Sequence, residues 1–300
     1  MMREESTRSK TVLDPEFLRK LERLALAAKR VQLGVAKGER RSKRKGISVE
    51  FADYRDYVQG DDTRFVDWNI YGRLDSLFLK LFQEQEDLTV HLLIDASDSM
   101  AFGTPPKLEF ACKLAAAIGY VALVGYDRVS VEAFSNARRQ RMLPCRGRAS
   151  AGKLFNFIGS IEPGGETNLE RSCRSYVIRN RAKGVAVIMS DFFDPQGFEG
   201  CIRGLTQSRS DVYAIHILAP EEIEPELTGD LKLLDCETNA YVEISVSRAL
   251  MRRYKENRDG FCEAVRRYCR ARGIGHFVVP SDADIERLTL EVLRRGGMLR

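Results

Sequence analysis

Hydrophobic and polar positions recur along this chain with two different periods, which predict alternating strands and helices. The largely apolar runs at 89–94 and 185–189 are typical of strands that are buried on both faces of a sheet. Longer segments between such runs repeat apolar residues every three or four positions, as helices packed on a core do. Strands that alternate with helices imply right-handed crossovers, and therefore an α/β fold with a mainly parallel sheet covered by helices on both faces.

The same periodicity gives the bounds of the individual elements. Strands are predicted at 46–51, 77–82, 89–94, 129–134, 138–143, 185–189, 212–218, 231–234, 241–245 and 276–279. Helices are predicted from Asp14 to about Gly34, at 107–124, 150–161, 169–181, 198–206 and 248–272, and from Asp284, where Ser281 is placed to cap the helix. The strand at 138–143 is expected to return antiparallel to its predecessor, and 231–245 to form a hairpin.

Changes in composition divide the chain into three parts. Residues 1–45 combine an N-terminal helix with a basic loop, residues 46–87 form a polar and aromatic segment whose strands are expected to pack on the main domain, and residues 88–300 form the α/β domain. The charged side chains of the middle segment form either an internal ion-pair network or a surface that recognises a partner. Its candidate partner-binding residues are Asp61, Asp62, Arg64, Asp67, Trp68 and Arg73.

Polar side chains stand directly after two of the buried strands. Asp95, Ser97 and Ser99 follow one strand and Asp191 follows another, and ligands of parallel sheets bind beyond the carboxyl ends of the strands. Thr167, in a Gly-Gly loop at the same end, adds a further neutral oxygen. Carboxylates with several hydroxyls suit a hard cation such as Mg²⁺. On spacing alone, a polar turn with Ser or Asp as helix N-cap explains Asp95 to Ser99 equally well.

Composition limits the class of protein. A length of 300 residues with 44% hydrophobic content can bury a substantial core. The longest apolar stretch, 114–126, is too short to span a bilayer, and the N-terminus lacks the apolar core of a signal peptide, so we expect a cytoplasmic protein. Seven cysteines without a Cys-x-x-Cys pair argue against a disulfide framework and a zinc site, and the three histidines sit in apolar strand-like runs that favour a structural role.

The net charge of +5 comes from one short segment. Residues 37–45 contain six basic residues and one acidic residue, which leaves 42 of each sign in the remainder of the chain. Nucleic acid or an anionic membrane would therefore have to be bound by this loop alone, and a solvated connection is the simpler interpretation.

The combined pattern resembles a known metal site. Asp95-x-Ser97-x-Ser99, Thr167 in a Gly-Gly-x-Thr loop and Asp191 after an apolar strand are similar to the metal-ion-dependent adhesion site (MIDAS) of von Willebrand factor A (VWA) domains. The resemblance implies that Ser97 and Ser99 ligate Mg²⁺ or Mn²⁺ directly and that Thr167 joins or leaves the shell as the site changes state. Asp95 and Asp191 would hold ligand waters or bind at the edge of the shell. The remaining ligand would be an Asp or Glu carboxylate of a partner protein.

A second resemblance lies upstream of this site. The segment is similar to the bacterial domain-of-unknown-function family 58 (DUF58), whose members carry such a preamble before a VWA-like domain. Its matching motifs are Gly46-Ile47-Ser48-Val49-Glu50-Phe51, Arg55-x-Tyr57, Gly60-Asp61-Asp62-x-Arg64-x-x-Asp67-Trp68 and Asp75-x-Leu77. Members are commonly encoded beside an AAA+ ATPase of the MoxR group, which is the implied partner. Many members have transmembrane helices near the N-terminus, and this chain differs in having none.

Three function classes follow from these patterns. The leading hypothesis is a noncatalytic, metal-dependent protein-binding module that acts with a MoxR-type AAA+ ATPase in chaperone-like assembly or maturation of protein complexes. The enzyme alternative is a metal-dependent phosphatase or hydrolase with Asp95 as the nucleophile, against which no His or Lys is spaced as an obvious general acid. The third alternative is polyanion binding through the loop from Lys37 to Lys45.

Overall fold

A computed structural model describes residues 49–84, 89–180, 184–208, 210–234 and 241–295, together with Arg19, Glu22 and Arg23. Contacts divide the chain into two units, Ala36–Asp87 and a larger unit of Met1–Val35 with Leu88–Arg300. Arg19, Glu22 and Arg23 are helical, in agreement with the helix predicted near the N-terminus, whose other residues lie outside the described ranges. The basic loop 37–45 also lies outside them.

The smaller unit is a two-stranded antiparallel sheet with one helix in its connection. Strand β1 (Val49–Asp56) pairs with β2 (Phe78–Glu84), and helix α1 (Trp68–Leu74) lies between them in the chain. Pairing continues to the end of β1, so the strand is longer than the predicted 46–51 and ends five residues later. Helix α1 was not predicted from its short and polar sequence. It begins where the Asp67 side chain accepts hydrogen bonds from the backbone N–H groups of Asn69 and Ile70.

The larger unit is built on a six-stranded sheet in the order β10-β7-β6-β3-β4-β5. All neighbours pair in parallel except β5, which returns antiparallel to β4. The strands of this unit are β3 (Thr89–Asp95), β4 (Arg128–Phe134), β5 (Arg139–Arg146), β6 (Gly184–Ser190), β7 (Ser210–Leu218), the separate hairpin β8 (Asp230–Leu234) with β9 (Tyr241–Ser245), and β10 (Gly275–Pro280). The predicted α/β class with a mainly parallel sheet is confirmed.

Helices cover both faces of the sheet and enclose two hydrophobic cores. One face is covered by α2 (Lys107–Val124), α3 (Ala151–Gly159) and α8 (Ile285–Arg295). The other face is covered by α4 (Leu169–Arg179), α5 (Glu199–Thr206) and α7 (Arg248–Arg270). The short helix α6 (Pro220–Ile223) follows β7. Strand β3 shows why both faces are apolar. Leu92 and Ile94 belong to the first core and Leu93 to the second, as side chains alternate along a strand.

Two predictions need correction, one about the cap of the last helix and one about disulfides. The helix predicted from Asp284 is present as α8, but its first backbone N–H groups bond to the Asp284 side chain, while the Ser281 hydroxyl donates to the carbonyl oxygen of Pro105. Cys173 and Cys201 form a disulfide between α4 and α5, whereas the sequence argued against disulfides. Both cysteines lie in the second core, where the packing of two helices brings together residues that are 28 positions apart.

The three histidines are packed inside the larger unit. The Nδ1 atom of His91 lies 2.7 Å from the hydroxyl oxygen of Ser130. Burial lowers the pKa of His91 to about 4, that of His276 to about 4 and that of His216 to about 3, which keeps all three neutral in the folded protein. Their burial agrees with the structural role expected from the sequence. Among the described residues, no helix is both long and apolar enough to cross a membrane.

The register of β3 with β6 can be tested at Gly184, which pairs with Thr89. A β-carbon at position 184 would overlap the backbone carbonyl oxygen of Thr89. We therefore expect Gly184→Ala to lower the free energy of unfolding by about 1–3 kcal/mol, measured by urea denaturation. Gly152→Ala is the matched control, because a β-carbon there meets open space on α3, and it should be neutral or stabilising by about 0.5–1 kcal/mol. Equal stabilities of the two variants would contradict the register.

Candidate functional site

The strand order places a topological switch point at the carboxyl ends of β3 and β6, which we call the crevice. These two strands are neighbours at the centre of the sheet, and the helices that follow them, α2 and α5, pack on opposite faces. Connections that leave in opposite directions open a gap between the two strand ends, which is where open α/β sheets bind ligands. Asp95 is the last residue of β3, and Asp191 directly follows β6. Both carboxylates therefore stand at the crevice, as the sequence predicted.

Asp95 is completely buried and is bound by neutral donors. One carboxylate oxygen accepts the backbone N–H of Ser97 at 3.1 Å, and the other accepts the Ser190 hydroxyl at 2.7 Å. Burial, followed by the nearby charge of Asp191, raises the pKa of Asp95 to about 7, although the bonds from Ser190 and Ser97 favour the ionised form. The site thus holds a carboxylate whose negative charge is only partly compensated by its hydrogen bonds.

The serines that follow Asp95 bring two hydroxyl oxygens together. Ser97 is completely buried and Ser99 half-buried, and their Oγ atoms are 3.0 Å apart. Ser97 also precedes a short 3-10 helix, Asp98–Ala101, as its N-cap residue, but its side chain makes no capping hydrogen bond. The simpler interpretation of these residues as a capped turn therefore does not account for the Ser97 hydroxyl.

The loop that carries Thr167 is fixed to the turn after β3. Asp98 and Gly165 exchange two hydrogen bonds of 2.9 Å, since the Asp98 backbone N–H donates to the Gly165 carbonyl oxygen and the Asp98 carboxylate accepts the Gly165 N–H. The Gly164 N–H donates to the carbonyl oxygen of Ala96 at 2.9 Å. Gly165 has φ +84°, and a β-carbon there would lie 2.6 Å from the β-carbon of Ala137. Thr167 is buried in the loop held by these contacts.

Asp191 differs from Asp95 because it is paired with a buried cation. One of its carboxylate oxygens accepts the Lys107 ammonium group at 2.7 Å, and the other accepts the backbone N–H of Phe193 at 3.1 Å. The same ammonium group donates to Glu222 at 2.7 Å. Burial acts to lower the pKa of Lys107, but the two carboxylates outweigh it and hold the pKa above its usual value. Lys107 therefore carries a full positive charge inside the site.

The turn after β6 is held in an uncommon backbone conformation. Phe192 has φ +59°, a left-handed conformation that is costly for a bulky residue, and its side chain is completely buried. Its N–H donates to the Ser190 hydroxyl oxygen at 2.9 Å. Asp194, farther along, accepts the backbone N–H of Leu169 at the start of α4 at 2.7 Å. These bonds fix the position of Asp191 relative to the Thr167 loop.

The donor set fits a hard divalent cation of the Mg²⁺ type. Its members are the hydroxyls of Ser97, Ser99 and Thr167 with the carboxylates of Asp95 and Asp191, and hard cations take oxygen ligands of these kinds. The burial of Asp95 is the second observation, because both of its oxygens accept hydrogen bonds from neutral donors and a neighbouring cation would stabilise its negative charge. Within the described residues, no three His, Cys, Asp or Glu side chains are grouped so as to hold a metal, so hydroxyl donors are essential to this site.

Four further residues belong to this arrangement and were not among the sequence candidates: Asp98, Lys107, Ser190 and Glu222. Asp98 and Ser190 each lie next to a candidate residue in the chain, which is a signal that could have identified them. Lys107 and Glu222 are 115 positions apart, and only the folded structure brings them together.

Most charged candidates of the smaller unit form ion pairs within that unit, although only Asp62 and Arg64 pair with each other. Asp61 pairs with Arg55 at 2.6 Å and Asp62 with Arg64 at 2.7 Å. Asp67 is buried, caps α1 and lies 3.0 Å from the ammonium nitrogen of Lys80. These contacts correspond to the ion-pair network that the sequence allowed. Trp68, with 61% of its surface exposed, is accessible within this unit, as are the exposed Asp62, Arg64 and Arg73.

Two solved structures superpose in part on this chain. The conserved hypothetical protein BatB of Bacteroides thetaiotaomicron superposes with a TM-score of 0.43 and 13% identity, over 70% of this chain and 99% of that one. The VWA domain of SpRpn10 superposes with a TM-score of 0.39 and 12% identity, over 68% and 93%.

Sequence relatives cover most of the chain. The uncharacterized protein Rv1480 of Mycobacterium tuberculosis and the uncharacterized protein Mb1516 of Mycobacterium bovis are each 29% identical over 256 residues, which is 84% of this chain and 78% of theirs. The family model described as "Protein of unknown function DUF58" matches residues 53–260, which include the smaller unit from β1 onward and the whole crevice. The chain therefore belongs to the DUF58 family.

Proposed function

We propose that this protein is a noncatalytic, metal-dependent protein-binding module of the MIDAS type. The observation that carries the proposal is the position of Asp95 beside two serine hydroxyls at the crevice of a parallel sheet. Asp95 is a buried carboxylate whose described hydrogen bonds come from neutral donors, and the two hydroxyl oxygens lie 3.0 Å apart. Family membership supports the proposal, because it extends over both the smaller unit and the crevice.

The residues of the crevice divide into two roles. Ser97 and Ser99, with Thr167 in the docked loop, offer neutral oxygens for direct ligation of Mg²⁺ or Mn²⁺. The carboxylates of Asp95 and Asp191 are already engaged in hydrogen bonds with Ser190 and Lys107, so they supply negative charge at the edge of the site. A cation held mainly by neutral oxygens keeps enough positive charge to attract an outside carboxylate. The matching partner is a protein that presents an Asp or Glu side chain.

The cellular role is proposed from the resemblance rather than from the geometry. DUF58 members are commonly encoded beside MoxR-type AAA+ ATPases, so we propose that this chain couples such an ATPase to client proteins during the assembly or maturation of complexes. Trp68, Arg73 and the exposed ion pair of Asp62 with Arg64 are the accessible candidates for a second contact surface on the smaller unit. A cytoplasmic location remains the prediction made from the sequence.

The burial of Asp95 favours binding over the enzyme alternative. A nucleophilic carboxylate must reach an electrophile, but Asp95 is completely buried and both of its oxygens accept hydrogen bonds. Lys107, the nearest cationic side chain described, is held by two carboxylates and is not poised to transfer a proton. Polyanion binding by residues 37–45 has no supporting observation among the described residues.

Metal binding can be measured directly with Mn²⁺ by isothermal titration calorimetry. We expect the wild type to bind one ion, and Ser97→Ala or Ser99→Ala to weaken binding by about tenfold or more, because each removes one of few protein ligands. Ser160→Ala is the control, since this exposed serine ends α3 and its hydroxyl bonds only to its own helix. No saturable binding by the wild type would overturn the metal site.

Partner binding is tested separately by affinity purification with and without Mg²⁺. Proteins that depend on the site should be retained by the wild type in Mg²⁺ and lost both in EDTA and with Ser97→Ala. The Ser160→Ala sample makes the same chemical change at an exposed serine away from the site, and so controls for the loss of a serine hydroxyl elsewhere in the protein. Retention that is equal in all samples would contradict a metal-gated mode of binding.

Ser190 has a structural role in the proposed site rather than a ligating one. Its hydroxyl donates to Asp95 and accepts the Phe192 N–H, and both groups are buried. In metal-free buffer, Ser190→Ala should lower the free energy of unfolding by about 1–3 kcal/mol, since it leaves buried polar groups unpaired. Ser99→Ala, which removes a half-buried hydroxyl, should cost less than about 1 kcal/mol. The free energies of unfolding of the two variants are compared by thermal or urea denaturation. A larger loss of stability in Ser99→Ala than in Ser190→Ala would contradict these roles.

A further inference from the structure

Lys107 occupies a position that is unfavourable for a lysine. Its side chain is 1% exposed, and it is the first residue of α2. Lysines are rarely buried to this extent unless they are paired, and a positive charge at a helix N-terminus opposes the helix dipole. The helix could begin with an uncharged residue at no such cost. The charge at this position therefore calls for an explanation in its surroundings.

The ammonium group is fixed in place from several sides. Asp191 and Glu222 each accept a hydrogen bond of 2.7 Å, and the ring centres of Phe102 and Phe193 lie 6.0 and 5.7 Å from the nitrogen. Glu222 is itself positioned, because its second carboxylate oxygen accepts the backbone N–H of Ala219 at 2.7 Å. These contacts hold the ammonium group beside Asp191 and away from solvent.

The charges around the crevice are unequal as a result. Asp191 is neutralised by Lys107, while Asp95 is bonded only to the neutral donors Ser97 and Ser190. Asp191 and Glu222 share one ammonium group, and Asp95 at the neighbouring strand end adds a third carboxylate, so the excess negative charge is what a divalent cation would neutralise. The positive charge of Lys107 reduces this excess of negative charge. The negative charge of Glu222 partly cancels the positive charge of Lys107 and so weakens that reduction.

We propose that Lys107 is a positioning residue that lowers the affinity of the crevice for a divalent cation by holding and neutralising Asp191. The inference rests on the proposed metal-dependent function and deepens it. A cation bound next to this ammonium group faces one free carboxylate instead of two, and therefore retains more positive charge towards an acidic partner. The structure assigns Lys107 the role of balancing tight metal binding against partner recognition.

The proposal predicts changes of opposite sign for the two ends of the ion-pair chain. Lys107→Met frees Asp191 and should tighten Mn²⁺ binding by about tenfold, equivalent to about 1.4 kcal/mol, because like charge is removed near the cation. Glu222→Gln leaves the Lys107–Asp191 pair but removes the moderating negative charge, and should weaken Mn²⁺ binding several-fold. The double variant should lie between the two single variants. A merely structural role would weaken binding in every case.

The experiment is Mn²⁺ titration calorimetry on the full chain, with circular dichroism as the check on folding. Lys113→Met is the matched control, because Lys113 lies on the same helix, is partly exposed and pairs with Glu109 away from the crevice. Wild-type affinity in Lys113→Met, with tighter binding by Lys107→Met and weaker binding by Glu222→Gln, supports the proposal.

Three results would overturn it or separate it from the proposed function. A folded Lys107→Met that binds Mn²⁺ with unchanged or lower affinity overturns the role of Lys107. If Lys107→Met does not fold, Glu222→Gln decides alone, and unchanged or tighter binding by that variant overturns the proposal. If the wild type binds Mn²⁺ in a manner that Ser97→Ala abolishes but neither Lys107 nor Glu222 affects, the metal site stands and only the inference about Lys107 fails.

Discussion

The burial of Asp95 at the end of a strand that is apolar on both faces is the constraint on which the rest of the site depends. A carboxylate in this position loses its hydration and must be stabilised by bonds from the protein or by a cation. The Ser97 N–H and the Ser190 hydroxyl supply part of that stabilisation, but both are neutral donors, so the described hydrogen bonds of Asp95 bring no opposing charge to it. The neighbouring hydroxyls are therefore best understood as the remaining part of a cation site.

The topology of the sheet explains why the parts of this site come from distant segments. Because β3 and β6 are adjacent and their helices leave on opposite faces, their ends are the natural opening of the fold. The loop that carries Thr167 reaches this opening through the paired bonds of Asp98 and Gly165. Three short segments thus converge without any long insertion, which is consistent with the family model matching the whole region.

Much of the larger unit could be predicted from the sequence, since its strands and helices differ strongly in periodicity. The strand before Asp95 was predicted, and in the structure it extends one residue farther to include Asp95, while the positions of Asp95 and Asp191 followed from the rule for strand ends. The errors occur where a local signal competes with a distant contact. Ser281 looked like a helix cap but bonds to Pro105, and the smaller unit contains α1 because one buried side chain, Asp67, caps a sequence with weak helical periodicity.

Pairings between distant side chains could not be predicted at all. The link between Cys173 and Cys201 depends on the packing of two helices, and the contacts of Lys107 depend on the positions of β6 and α6. In the sequence, Lys107 is an ordinary charged residue at the start of a helix, where exposure would be the normal expectation. A single sequence contains no periodic signal for such contacts, because they are set by how elements pack and not by how each one forms.

The stability of the fold does not by itself explain the charge at position 107. Replacing a buried ion pair by apolar residues of similar volume is often neutral or stabilising, and α2 is otherwise lined by buried apolar side chains that could accommodate such a residue. The Lys107–Asp191–Glu222 chain therefore has a cost that packing does not require. Its ammonium group ends beside one of the two carboxylates at the crevice and leaves the other without an opposing charge. This unequal distribution of charge is a property of the site. It provides a functional reason for burying a lysine that packing alone does not require.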